Sequence, residues 1–75
     1  MIDSGFQDVL GHAKKMLDES PFHALRELHV EQVGDQVLLK GRVSSFFLKQ
    51  LAQETVRSAT RGIEMVNSIA VSSTS

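Results

Sequence analysis

Apolar residues near the start of the chain recur with a helical period. From Phe6 they are spaced by three or four residues on one side of a helix, and mostly charged or amide residues fall on the other. Ser4 followed by Gln7 is typical of a capping box, and Pro21 disfavours helical angles at the residue before it. The pattern predicts a helix that starts at Ser4 and ends near Glu19. The apolar stripe consists of Phe6, Val9, Leu10, Ala13, Met16 and Leu17.

The next segment, residues 28–43, alternates apolar and polar residues with a period of two, which predicts β-strands. Gly34 and Asp35 lie near its middle and form the kind of two-residue loop that closes a β-hairpin. This register places Val30 opposite Leu39 on the inner face of the hairpin.

Two features around this hairpin predict close packing. Gly41 lies opposite Leu28, and a glycine inside a strand leaves room for a helix or a large side chain to approach. Before the hairpin, Phe22 and Leu25 follow Pro21 in a short connection. We expect both of these side chains to seal the core.

The rest of the chain predicts a second helix and a third strand. Ser44 and Ser45 offer N-caps for a helix over residues 46–61, and Gly62 closes it at a C-cap position. Residues 63–71 then read as a strand. The buried arc of the second helix is expected to consist of Leu48, Leu51, Ala52, Thr55, Val56 and Ala59.

These elements define a fold class. A strand, a helix and another strand most simply make a right-handed crossover with parallel strands. The prediction is α+β: a two-layer α-β-β-α-β domain whose three-stranded mixed sheet carries both helices on one face. Residues 1–75 are expected to form a single domain with an ordered core over about 4–71 and a flexible tail over 72–75.

Composition narrows the function. An apolar share of 41% is typical of a globular protein, and the absence of cysteine excludes disulfides and thiolate metal sites. Eight basic and nine acidic residues give a net charge of −1, which argues against a nucleic-acid partner. The start of the chain has no signal-peptide pattern. The expected location is therefore cytoplasmic by default, or the envelope or periplasm if the chain is a fragment of a longer protein.

No group of side chains has the spacing of a catalytic or cofactor-binding site. His12, His23 and His29 do not have the i, i+4 spacing of helical metal ligands, and no nucleophile elbow or phosphate-binding loop is present. We therefore expect no catalytic residue, no metal and no cofactor. Asn67 is expected to be structural and to hydrogen-bond a neighbouring loop or strand edge, because a buried unpaired amide is costly.

Several short motifs, taken together, resemble the BON domain family. They are Val37, Leu39, Gly41-x-Val43, Ser45, Lys49, Ala52, Gly62-Ile63 and Val66-Asn67-x-Ile69-x-Val71. The resemblance covers about residues 21–71. The turn Gly34-Asp35 and the helix start Phe46-Phe47-Leu48 depart from the usual family pattern.

The resemblance implies a non-enzymatic binding module that associates with anionic phospholipid or cell-envelope surfaces. Other family members are linked to small ligands or to proteins. The alternative for this chain is therefore a protein-interaction or self-association domain without lipid binding.

The candidate membrane or partner contacts are Arg42, Phe46, Phe47 and Lys49. On a helical projection Phe46 lies far from the buried arc, where its ring is able to enter a headgroup region or a partner's pocket. A second interpretation is that the first helical turn is irregular and Phe46 folds back over the sheet edge.

The basic residues of the second half of the chain carry the same ambiguity. In one interpretation they bind an anionic surface. In the other they form a solvated face, whose charge is partly neutralised by Glu27 opposite Arg42 and by Glu54 three residues before Arg57. The residues concerned are Lys40, Arg42, Lys49, Arg57 and Arg61.

Overall fold

The structure, a computed structural model, describes residues 4–60 and 62–72 and has the predicted α+β class. Strands β1, β2 and β4 form a mixed three-stranded sheet, and the helices pack against it. In chain order the elements are α1 (Ser4–Asp18), α2 (His23–Arg26), β1 (His29–Val33), β2 (Gln36–Lys40), β3 (Arg42–Val43), α3 (Phe46–Arg57), β4 (Glu64–Asn67) and β5 (Ala70–Val71).

Helix α1 follows the predicted stripe and bounds. Its innermost side chains, Ala13 and Leu17, are fully buried, and Met16 packs beside them. The predicted capping box depends on the Ser4 side chain, which lies outside the described part of the structure. Near the other end, the Lys14 ammonium donates to Asp18 Oδ1 at 2.9 Å and to the Leu28 carbonyl at 3.2 Å. It therefore connects α1 to the start of the hairpin.

The predicted hairpin register is confirmed. Strands β1 and β2 are antiparallel, with Val30 paired to Leu39, and Gly34 in the turn has φ 61°. Strand β4 runs parallel to β2, with Leu39 paired to Asn67, so α3 is the crossover between two parallel strands.

Both long strand predictions are interrupted where the sheet bends. Gly41 has φ 139°, and it separates β2 from β3, which pairs in parallel with β5 as a second, two-stranded sheet. Hydrogen bonds still bridge the break, because Ser68 N donates to Leu39 O at 2.9 Å and Ala70 N donates to Gly41 O at 2.9 Å. Beyond β5, at the first residue of the predicted flexible tail, Ser72 N donates to Val43 O at 2.8 Å. The rest of that tail, 73–75, lies outside the described residues.

Helix α3 ends earlier than predicted. The last helical residue is Arg57, and turns follow over 58–60 instead of helix to a cap at Gly62. The Thr60 hydroxyl donates to the Val56 carbonyl at 3.2 Å and to the Arg57 carbonyl at 3.3 Å. The backbone N–H of Ala59 donates to the Val56 carbonyl at 3.0 Å and that of Thr60 to the Arg57 carbonyl at 3.2 Å, so the chain tightens to i→i−3 hydrogen bonds here.

The core lies between the helices and the inner face of the sheet. Ala52 and Val56 of the predicted arc are fully buried, and Leu48 and Leu51 pack at its margin. The short helix α2 was not predicted, and it carries the buried Leu25. Other members of the core are Ala13, Leu17, Leu28, Leu39, Val43, Ala59 and Ile69.

Candidate functional site

Exposed phenylalanines mark the start of α3. The Phe46 side chain is 74% exposed and that of Phe47 is 63% exposed. The interpretation in which Phe46 folds back over the sheet edge is therefore wrong. Two large apolar rings at adjacent positions in solvent are typical of a contact surface.

A regular helix start explains why Phe46 points outward. Ser45 has extended angles, φ −153° and ψ 157°, and its hydroxyl accepts the Leu48 N–H at 3.2 Å. This N-cap makes the first turn helical, so the side chains that follow the helical period face the core. Phe46 lies outside that arc.

The connection after α1 adds a third exposed ring. Leu25 is fully buried as predicted, but Phe22 is 41% exposed, so the prediction that it seals the core is wrong. Two hydrogen bonds fix its turn, since the Phe22 N–H donates to the Ser20 hydroxyl at 3.1 Å and Arg26 Nε donates to the Ser20 carbonyl at 2.8 Å.

Phe22 and Phe47 form an aromatic pair. Their ring centroids are 6.1 Å apart and the ring planes meet at 70°, an edge-to-face arrangement. Sequence reasoning missed Phe22 as a contact residue. No local signal identifies it, because its contact with Phe47 joins residues that are distant in the chain. We call Phe22, Phe46 and Phe47 the aromatic surface.

An apolar groove adjoins this surface between α1 and α3. Its volume is about 320 Å³, and its lining includes Met16, Pro21, Phe22 and Leu51. The exposed Phe22 ring therefore borders an apolar concavity.

The four predicted contact residues do not form a single site. Phe46 and Lys49 line one cavity of about 210 Å³. Phe47 belongs to the aromatic pair, and Arg42 lines a different cavity together with Glu27. Phe46 and Lys49 are therefore the two predicted residues that share a concavity.

Ion pairing separates the basic residues into two groups. Lys40 pairs with Glu31 at 3.2 Å, and Arg57 pairs with Glu54 at 3.4 Å, as predicted for the latter pair. The expected pairing of Glu27 with Arg42 is not among the ion pairs of residues 4–60 and 62–72.

Neither Arg42 nor Lys49 is ion-paired within those ranges, and Arg61 lies outside them. Of these two residues, Lys49 shares a cavity with Phe46, whereas Arg42 lines a cavity with Glu27.

Asn67 has the structural role that its sequence context predicts. Its Nδ2 donates to the Lys49 carbonyl and to Gln53 Oε1, both at 3.1 Å, and its Oδ1 accepts the Ile69 N–H at 3.2 Å. These contacts attach α3 to the end of β4.

Three further observations concern the site's chemistry. Within the described ranges no cluster of three or more His, Asp or Glu side chains is suited to hold a metal ion. No helix of the described chain is long and apolar enough to cross a membrane. In comparisons with known proteins, no family model, no curated protein and no solved structure matches this chain.

Proposed function

We propose that this protein is a non-enzymatic binding module that associates with anionic phospholipid surfaces through the aromatic surface and Lys49. The observation that carries the proposal is the exposure of Phe46 and Phe47 beside a lysine without an ion-pair partner in the described chain. The resemblance to BON domains leads to the same expectation.

The proposed contact has two energetic parts. Burying a Phe side chain contributes about 1.5–3 kcal/mol, so insertion of Phe46 and Phe47 together contributes at most about 3–6 kcal/mol. Each Lys or Arg near an anionic membrane adds about 1 kcal/mol, which Lys49, in the cavity that Phe46 borders, is placed to supply. A binding free energy of this size, part of it electrostatic, corresponds to weak, reversible and salt-sensitive association.

Vesicle titration of the isotope-labelled protein by NMR tests the proposal. Anionic vesicles should broaden or shift the amides of Phe46, Phe47 and Lys49, and zwitterionic vesicles should not. Phe46→Ser should weaken binding about tenfold or more, because it removes an inserted ring. The matched control is Val33→Ser, since Val33 is 49% exposed on a strand away from α3.

Phe46→Ser also checks whether the Phe46 ring is exposed in the folded protein. Because its ring is 74% exposed, the substitution should change the free energy of unfolding by about 0.5 kcal/mol or less. Equal loss of vesicle binding in Phe46→Ser and Val33→Ser, or identical responses to both vesicle types, would contradict the proposal.

The apolar groove favours a second candidate function, a protein partner or a second copy of the chain. A methionine, a leucine and an aromatic ring around a concavity are typical of the anchor pockets at protein interfaces. Sedimentation at increasing protein concentration distinguishes this candidate. Self-association that Phe22→Ser abolishes, with no response to vesicles, would favour it over lipid binding.

A further inference from the structure

The cavity that Phe46 and Lys49 share is built mainly from one face of α3. Phe46, Lys49, Gln50 and Gln53 follow each other at i, i+3, i+4 and i+7, a spacing that aligns side chains along a helix. Asn67 closes the cavity from the end of β4. The exposed ring of Phe46 lies on its border.

The hydrogen bonds of Asn67 orient the amide of Gln53. Both N–H groups of Asn67 Nδ2 are used, one on the Lys49 carbonyl and one on Gln53 Oε1, each at 3.1 Å. Because the Gln53 oxygen is occupied as an acceptor, its Nε2 group is the end that remains for a ligand. Gln53 is thereby set as a donor.

The cavity has a mainly apolar lining, and its polar part carries no negative charge. Its polar side chains are a lysine and three amides, and no carboxylate lies in its lining. Lys49 is not ion-paired to any acidic side chain of the described residues. A ligand that offers several acceptor oxygens and a negative charge matches such a set.

We propose that this cavity binds the phosphate group of a phosphate ester, with Lys49 as the charged donor and Gln50 and Gln53 as neutral donors. The volume of about 210 Å³ is below the range of pockets that enclose drug-sized molecules, so it suits a headgroup rather than a whole lipid. Phe46 on its border would then enter the acyl region beside the bound headgroup. This extension rests on the proposed membrane function, but a soluble phosphate ester offers the same chemistry.

Side-chain amide signals report on the cavity directly. The labelled protein is titrated with glycerol 3-phosphate, with inorganic phosphate, and with sodium chloride at matched ionic strength. The two phosphate compounds should produce saturable shifts at the side-chain amides of Gln50 and Gln53, and sodium chloride should not. Shifts that follow ionic strength alone would overturn the proposal.

Charge-matched variants test the role of Lys49. Lys49→Gln should weaken binding of glycerol 3-phosphate and of phosphatidylglycerol vesicles roughly tenfold, because it removes a charge-assisted hydrogen bond. Lys40→Gln, an equal charge change on the sheet, should have little effect. Gln50→Leu is the second variant, since it removes a donor without touching the bonds of Asn67. Equal behaviour of Lys49→Gln and Lys40→Gln would overturn the assignment.

The two proposals fail in distinguishable ways. If vesicles bind while glycerol 3-phosphate leaves the Gln50 and Gln53 amides unchanged, the cavity assignment is wrong and the membrane proposal stands. If glycerol 3-phosphate binds at the cavity and vesicles do not bind, the phosphate site stands and the membrane proposal is wrong.

Discussion

Replacing Gly41 by alanine is expected to destabilise the protein by about 2–6 kcal/mol. Gly41 has φ 139°, an angle that residues with a side chain rarely adopt. A Cβ at this position would lie 2.5 Å from Leu28 Cδ2 and 3.4 Å from Leu28 Cα. Because Leu28 is fully buried, its side chain has little room to move away.

Two terms make up the expected loss. Holding a non-glycine residue in a sparsely populated backbone region costs about 1–3 kcal/mol. Inserting a methyl group into a packed core costs about 1–3 kcal/mol more. A chain of 75 residues is typically stable by about 4–11 kcal/mol, so Gly41→Ala removes a large share of the total.

Urea unfolding followed by far-ultraviolet circular dichroism measures the effect. Two other glycines provide matched controls, because a Cβ at Gly11 or Gly34 meets nothing within 4 Å. Gly11→Ala, inside α1, should stabilise the protein by about 0.5–1 kcal/mol. An alanine at position 34 would be strained at φ 61°, but its Cβ would meet no neighbouring atom. Gly34→Ala should therefore lower the free energy of unfolding by about 1 kcal/mol.

A double-mutant cycle isolates the contact between Gly41 and Leu28. Leu28→Val removes Cδ2, the atom nearest to the added methyl group. In the Leu28→Val background, Gly41→Ala should cost about 1 kcal/mol less than in the wild type. Additive energies, or a Gly41→Ala loss no larger than that of Gly34→Ala, would refute the close approach of strand and side chain.

Two further substitutions test the polar contacts that join the elements. Lys14→Met should cost about 1 kcal/mol, because it removes donors to Asp18 and to the Leu28 carbonyl, whereas Lys15→Met should be nearly neutral in the same urea assay. Asn67→Leu should cost about 1–3 kcal/mol, because the Gln53 oxygen and the Lys49 carbonyl lose their donor. Because the Ile69 N–H donates to Asn67 Oδ1, Asn67→Leu should also speed hydrogen exchange at the Ile69 amide. Unchanged exchange at this amide would contradict the prediction.

Most of the architecture was predictable from local patterns. The spacing of Ala13, Met16 and Leu17 defines one face of α1, and that face is the one that is buried. The turn at Gly34 sets the register in which Val30 meets Leu39. Such features depend on residues close together in sequence, so period and turn chemistry identify them.

Element ends were less predictable, because they depend on competition between neighbouring groups. Near the end of α3 the Ala59 and Thr60 N–H groups make i→i−3 hydrogen bonds, and the helix does not continue to Gly62. At Gly41 the strand breaks where Leu28 packs against it. The alternation of residues continues through that point, so the pattern alone predicts one long strand.

In the candidate site, the sequence alone predicts some features, and the tertiary structure decides the others. The sequence by itself determined that Lys49 follows Phe46 by one helical turn and that a regular helix places Phe46 outside the buried arc of α3. Only the tertiary structure decided that the first turn is regular and the Phe46 ring exposed. Only the tertiary structure decided that Phe22 turns outward to meet Phe47 and that Asn67 reaches Gln53. These partners are distant in the chain, and their contacts depend on how α1, α3 and β4 pack together.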